Sequence, residues 1–228
     1  MSPSRSPAVG VPTVIPASRP ASRSVRVGAG LIAVGVVQFS AAMAVVQYGF
    51  PGYSDLTNYI SDLGNSAISP WYWVFNVSII LLGVLAFCGI LLAWSGFPPG
   101  GTRVVGLLLL LVASVSAIFV GIFPENVNIN AHVAASFGVF APGGIALVVL
   151  GSGLRPGTDW HWFRWVSITL GLITLVSLAY FAPTQTSNTT FDPGFIERLI
   201  VYPILIWGFL AALQLWRAPP ATRGAAGS

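Results

Sequence analysis

Six apolar stretches, each about 20 residues long, dominate this chain and leave it one kind of environment in which to fold. They fall at about residues 28–50, 71–94, 104–123, 131–150, 165–181 and 195–216. A helix of that length crosses a hydrocarbon core roughly 30 Å thick, and lipid offers no partner for a backbone group left unpaired. Breakers stand where helices have to stop: Pro51-Gly52 after the first stretch, Pro70 before the second, Pro98-Pro99-Gly100 after it, and Pro124 after the third. Trp71, Tyr72, Trp73, Trp94, Trp160, Trp162, Trp165 and Trp216 sit at span ends, where amphipathic rings favour the membrane interface. The expected fold class is all-α, a polytopic bundle of six transmembrane helices.

The charges sort by loop. Arg5, Arg19, Arg23 and Arg26 precede the first span, Arg103 follows the second, Arg155 and Arg164 the fourth, and Arg217 and Arg223 the sixth. The alternate loops carry Asp55, Asp62, Glu125 and Asp192. Arginine on alternate loops orients a membrane protein with its basic side in the cytoplasm. The chain is therefore expected to be a multi-pass protein of the cell membrane with both termini cytoplasmic and the acidic loops outside. Only 7% of residues are charged, against about 25% in soluble domains, so no separate soluble domain is expected. The expected division is a disordered basic cytoplasmic tail over residues 1–26, a six-helix domain over 27–217, and a flexible cytoplasmic tail over 218–228. The net charge of +4 is spread over helix ends, which excludes a nucleic-acid partner and leaves membrane lipids. A lone cysteine, Cys88, excludes a disulfide framework. The absence of lysine, with abundant Ala, Gly, Val and Arg, suggests a prokaryotic gene.

Chemistry is sought on the acidic side. In the first of its loops, Tyr59, Ile60 and Leu63 alternate with Asn58, Ser61 and Asp62 at helical spacing, which predicts a short amphipathic interfacial helix. Glu125 closes the third span and His132 opens the fourth, near one depth, so a carboxylate is expected to orient the imidazole for acid-base work. Ser136 lies one turn deeper. The sixth span opens with Asp192-Pro-Gly-Phe-Ile-Glu197-Arg198. Arg198 is the one basic residue expected on this side, and at the membrane boundary it is costly unless paired with Asp62, Glu125 or Glu197. Tyr202, one turn further on, offers that cluster a hydrogen bond. No His-x-x-x-His spacing supports a metal, and no phosphate loop or dinucleotide fingerprint supports a cofactor.

Three of these segments together resemble a known family. Pro51-Gly-Tyr-Ser54, Tyr59-Ile-Ser-Asp-Leu-Gly64 and Asn76 are similar to the opening signature of the membrane proteins grouped as domain of unknown function 998. Gly121-Ile-Phe-Pro-Glu125 with His132, and Glu197-Arg198-Leu199 with Tyr202-Pro203 and Trp207, resemble its second and third motifs. The resemblance covers roughly residues 28–217. It implies a six-span membrane protein and groups Asp62, Glu125, His132, Glu197 and Arg198, with no activity attached.

The functional expectation is an external polar pocket that binds or hydrolyses a lipid-like or small amphiphilic molecule. His132, Glu125 and Asp62 are its candidate catalytic residues; Arg198, Glu197, Tyr202 and Asn76 are its candidate substrate-binding residues. The alternative is a non-enzymatic membrane subunit whose ion network is structural. A small-molecule transporter is the third reading, and the scarcity of polar groups near mid-span counts against it.

Overall fold

The computed structural model describes residues 22–155, 157–187 and 191–217. Six helices account for most of them: α1 (Arg23–Tyr48), α2 (Tyr72–Ala93), α3 (Gly101–Ile122), α4 (Ile129–Gly153), α5 (His161–Ser187) and α6 (Pro193–Arg217). All six are long and apolar enough to cross a membrane. They form the expected all-α bundle of a multi-pass membrane protein. Each helix packs on the next in sequence, α6 closes the ring against α1, and α4 touches α6 across it. α1 begins at Arg23, capped by the Ser22 hydroxyl, which accepts from the amide of Val25 at 3.4 Å. The remainder of the expected tails, residues 1–21 and 218–228, lies outside the described residues, and with it Arg5, Arg19 and Arg223. α5 runs on to Ser187 rather than stopping near residue 181, and Pro183 lies inside it, taking one backbone donor from the ladder without ending the helix.

Small residues set how closely the helices approach. A Cβ on Gly28 of α1 would lie 2.5 Å from the carbonyl oxygen of Gly89 on α2, so glycine is required for this crossing. Membrane helices gain their association energy from such packing, because lipid supplies no hydrophobic drive between them. Polar side chains inside the spans find partners. Gln38 Nε2 on α1 donates to the carbonyls of Ser78 (2.9 Å) and Gly35 (3.0 Å). The Thr174 hydroxyl of α5 donates to the carbonyl of Ile200 at 3.1 Å, in the turn where Pro203 interrupts the α6 ladder.

The two ends of the ring are filled differently. At the end carrying Arg23, Arg26, Arg103, Arg155, Arg164 and Arg217, aromatic rings pack the axis. Phe163 lies 5.6 Å from both Trp160 and Trp207, and Phe97 lies 5.7 Å from Trp160. Trp207 Nε1 donates to the Ser167 hydroxyl at 2.8 Å. Trp160 thus corrects the interfacial expectation for span-end tryptophans. The segment before α5 turns its ring inward and buries it, while Trp71, Trp73, Trp162, Trp165 and Trp216 stay exposed.

At the acidic end the loop between α1 and α2 folds across the mouth of the ring. The amphipathic interfacial helix expected there is instead a single 3-10 turn, Ser61–Gly64, with Ile60 and Leu63 buried against Phe39, Met43 and Phe75. Its apolar side chains face the protein interior rather than the headgroups. Hydrogen bonds to other helices, described next, hold the turn there.

Candidate functional site

The loop lid is built from short-range polar contacts and then tied to three helices. The Asp62 carboxylate accepts from Asn58 Nδ2 and from the amide of Tyr59, both at 3.0 Å, which closes the turn on itself. The Ser61 hydroxyl donates to Glu125 at 3.1 Å, and Asn65 Nδ2 donates to its other oxygen at 2.8 Å. Asn126 Nδ2 donates to the Ser66 hydroxyl at 2.8 Å. These contacts dock the lid on the connection between α3 and α4. On α2, Asn76 Nδ2 donates to the carbonyl of Gly64 at 3.0 Å, and a Cβ at Gly64 would collide with the Asn76 side chain. On α6, the Glu197 carboxylate accepts from the amide of Ile60.

Three carboxyl groups therefore converge on one turn. Burial pushes the Asp62 carboxyl above its ordinary range; Asn58's hydrogen bond opposes this, and the neighbouring charge of Glu125 adds to it.

Arg198 belongs to a second, separate cluster. Its Nη1 donates to the carbonyls of Gly194 (2.9 Å) and Asn58 (3.1 Å), and its Nη2 donates to the Tyr53 hydroxyl (2.8 Å) and to Asp55 (2.6 Å). Its expected partners were Asp62, Glu125 or Glu197, and the structure gives it Asp55 instead. One helical residue turns by about 100°, so Glu197 and Arg198 leave α6 in different directions. Tyr53 accepts from Arg198 and donates to the carbonyl of Tyr59 at 2.8 Å. Burial pushes its phenol up to about 12, against the pull of the Arg198 charge. Gly194 is obligatory here, since any Cβ would strike the carbonyl of Asn58. Tyr202 lies half-buried against the apolar core under the lid.

Beneath the lid lies a cavity of about 90 Å³. Its walls are apolar, with Phe39, Phe75, Ala117, Val139, Phe140 and Leu205 among them. Four polar side chains interrupt them: Ser61, His132, Ser136 and Glu197. His132 is 8% exposed, and its Nδ1 lies 2.9 Å from the carbonyl oxygen of Phe123. A carbonyl only accepts, so Nδ1 carries the hydrogen, and in the neutral ring Nε2 keeps a lone pair. The ring is thus oriented by backbone, not by Glu125 or Asp62 as the sequence suggested. The cavity is smaller than the roughly 300 Å³ at which small-molecule sites begin, and holds a few waters or a short apolar segment.

A family model described as "Protein of unknown function (DUF998)" matches residues 33–214, which include the lid, all four polar cavity residues and the Arg198 cluster. The chain belongs to this family. No curated protein and no solved structure matches it.

Within this DUF998 chain, then, Asp62, Glu125 and Glu197 meet at the lid, His132 and Glu197 share the cavity, and Asn76 holds the lid from below. Arg198 stands apart with Asp55 and Tyr53. Sequence reasoning missed the amides of Asn58, Asn65 and Asn126. Their signal was weak: Asn126 adjoins Glu125, while Asn58 and Asn65 each lie three or four residues from Asp62 among other polar residues.

Proposed function

We propose that this DUF998 protein binds a lipid-like amphiphile at its acidic end. The apolar segment would enter the cavity, and the head group would meet His132, Glu197 and the lid. One observation carries the reading: four polar side chains gathered on the wall of an otherwise apolar cavity. Amphiphile sites need this combination, with apolar walls for the body and a few polar groups to fix its orientation. His132 gives the pocket a ring nitrogen unpartnered among the described residues, a proton acceptor of the kind that hydrolysis of a bound ester or amide by water would use. The arginine asymmetry supports an outward-facing lid.

The Arg198 cluster favours the structural reading for its own residues. Four acceptors saturate both terminal nitrogens of the guanidinium, so Arg198 pins the lid to α6 instead of waiting for a ligand.

Native mass spectrometry of protein purified in mild detergent tests the binding reading. Wild type is expected to carry a small amphiphile, His132→Ala less of it, and Ala117→Phe, which fills the cavity, none. Bare protein in every case, with Ala117→Phe as stable as wild type, overturns it.

A further inference from the structure

We infer that the head group received under the lid is a protonated amine carried on a short apolar tail. This rests on the binding reading above and specifies the charge of the ligand.

The argument starts from what surrounds the cavity mouth. Among the described residues, Arg198 and His132 are the basic side chains near it, and Arg198 is committed to Asp55, Tyr53 and two carbonyls. Asp62, Glu125 and Glu197 remain, and among the described residues their hydrogen-bond donors are neutral: the amides of Asn58 and Asn65, the Ser61 hydroxyl, and the backbone of Tyr59 and Ile60. Of the described residues, Arg198 is the one cation whose charge reaches this group, at Glu197, and its terminal nitrogens donate elsewhere. An anionic head would meet more carboxyls than cations here, and Arg198 has both terminal nitrogens engaged, with its buried Nε left unpartnered among the described residues.

The cavity wall points the same way. His132 is more than nine-tenths buried, its Nδ1 is engaged by Phe123, and its Nε2 has no hydrogen-bond partner among the described residues. Neutral, it is an acceptor. Glu197 is buried on the same wall, and Ser61 and Ser136 supply hydroxyl oxygens. An ammonium brings three N–H donors and no acceptor, the complement of such a set. It also brings a charge that a poorly solvated carboxylate lacks a partner for. An alcohol head would satisfy one of these acceptors and none of the charge. The cavity volume of about 90 Å³ limits the enclosed part to a few carbons.

The test uses octylammonium, 1-octanol and octyl sulfate at pH 7, with the full-length protein in a maltoside detergent. Affinity is read by isothermal titration calorimetry and stability by thermal melting. Octylammonium is expected to bind about tenfold or more tightly than octanol, with octyl sulfate failing to bind. Asp62→Asn combined with Glu197→Gln should bring octylammonium down to the octanol level. Ala117→Phe should abolish both, and Val139→Phe serves where that variant fails to fold. Equal affinity for octanol and octylammonium, lost on filling the cavity, overturns the amine head while leaving the binding reading intact. Tightest binding of octyl sulfate also overturns it. Octylammonium binding that survives a filled cavity would be surface attraction and overturns the inference as well. Binding of none of the three overturns the amine head and counts against the binding reading too.

Discussion

Glu197 and Arg198 are consecutive on α6 and grip the same loop at two different places. Glu197 accepts the amide of Ile60 beside the cavity, while Arg198 reaches 2.6 Å to Asp55 at the outer edge. The first contact borders the cavity and the second does not, so if the proposed binding holds, substitutions at the two positions should separate stability from binding.

Arg198→Met is expected to cost about 2–4 kcal/mol, because it removes the donors to the Tyr53 hydroxyl, Asp55 and the carbonyls of Asn58 and Gly194 at once. Asp55→Asn should cost under about 1 kcal/mol, since that carboxylate is 65% exposed and well screened. Thermal melting in detergent checks both. Equal losses would mean that the ion pair, not the hydrogen-bond set, holds the loop.

The burial of Asp62 near Glu125 predicts a pH dependence. Burial raises the Asp62 carboxyl above its unfolded value. Such a group favours the folded state while protonated, so its contribution is complete below the ordinary carboxylate range and is lost as pH rises through the raised value. The melting temperature should therefore fall as pH climbs past the ordinary carboxylate range, and Asp62→Asn should flatten that fall. Parallel profiles for wild type and variant would show that Asp62 holds no proton of consequence.

Gly28→Val places branched carbon against the carbonyl of Gly89. Overpacking of this kind costs about 1–3 kcal/mol, and here it would push α1 from α2. Cross-linking of cysteines introduced on the two helices would report the separation. An unchanged cross-linking pattern would show that the helices slide to make room.

Phe163→Ala empties the centre of the aromatic cluster and is expected to cost about 3–5 kcal/mol. The cavity lies at the opposite end of the bundle, so amphiphile binding measured below the new melting temperature should be unchanged. A parallel loss of affinity would reveal coupling between the two ends.

The spans were legible because hydropathy reports on lipid, and 20 apolar residues between prolines have one common use. The acidic segments were legible as a group for a similar reason: charge at a membrane boundary has to be managed. What stayed hidden was direction. Hydropathy treats Trp160 and Trp162 alike, yet one is buried in the core and the other faces out. The periodicity of residues 58–63 fits a helix on the membrane surface as well as a turn tucked into the bundle. The second wins because Glu125 and Glu197, far away in sequence, accept its donors. Partner choice for Arg198 likewise depends on the path of a loop that local pattern does not encode.

Filled by Phe97, Trp160, Phe163 and Trp207 at one end and hollow at the other, the bundle is a cup rather than a tube. The aromatic fill closes the way toward the arginine-bearing end, so whatever enters the cavity leaves again on the acidic side or between the helices that line it.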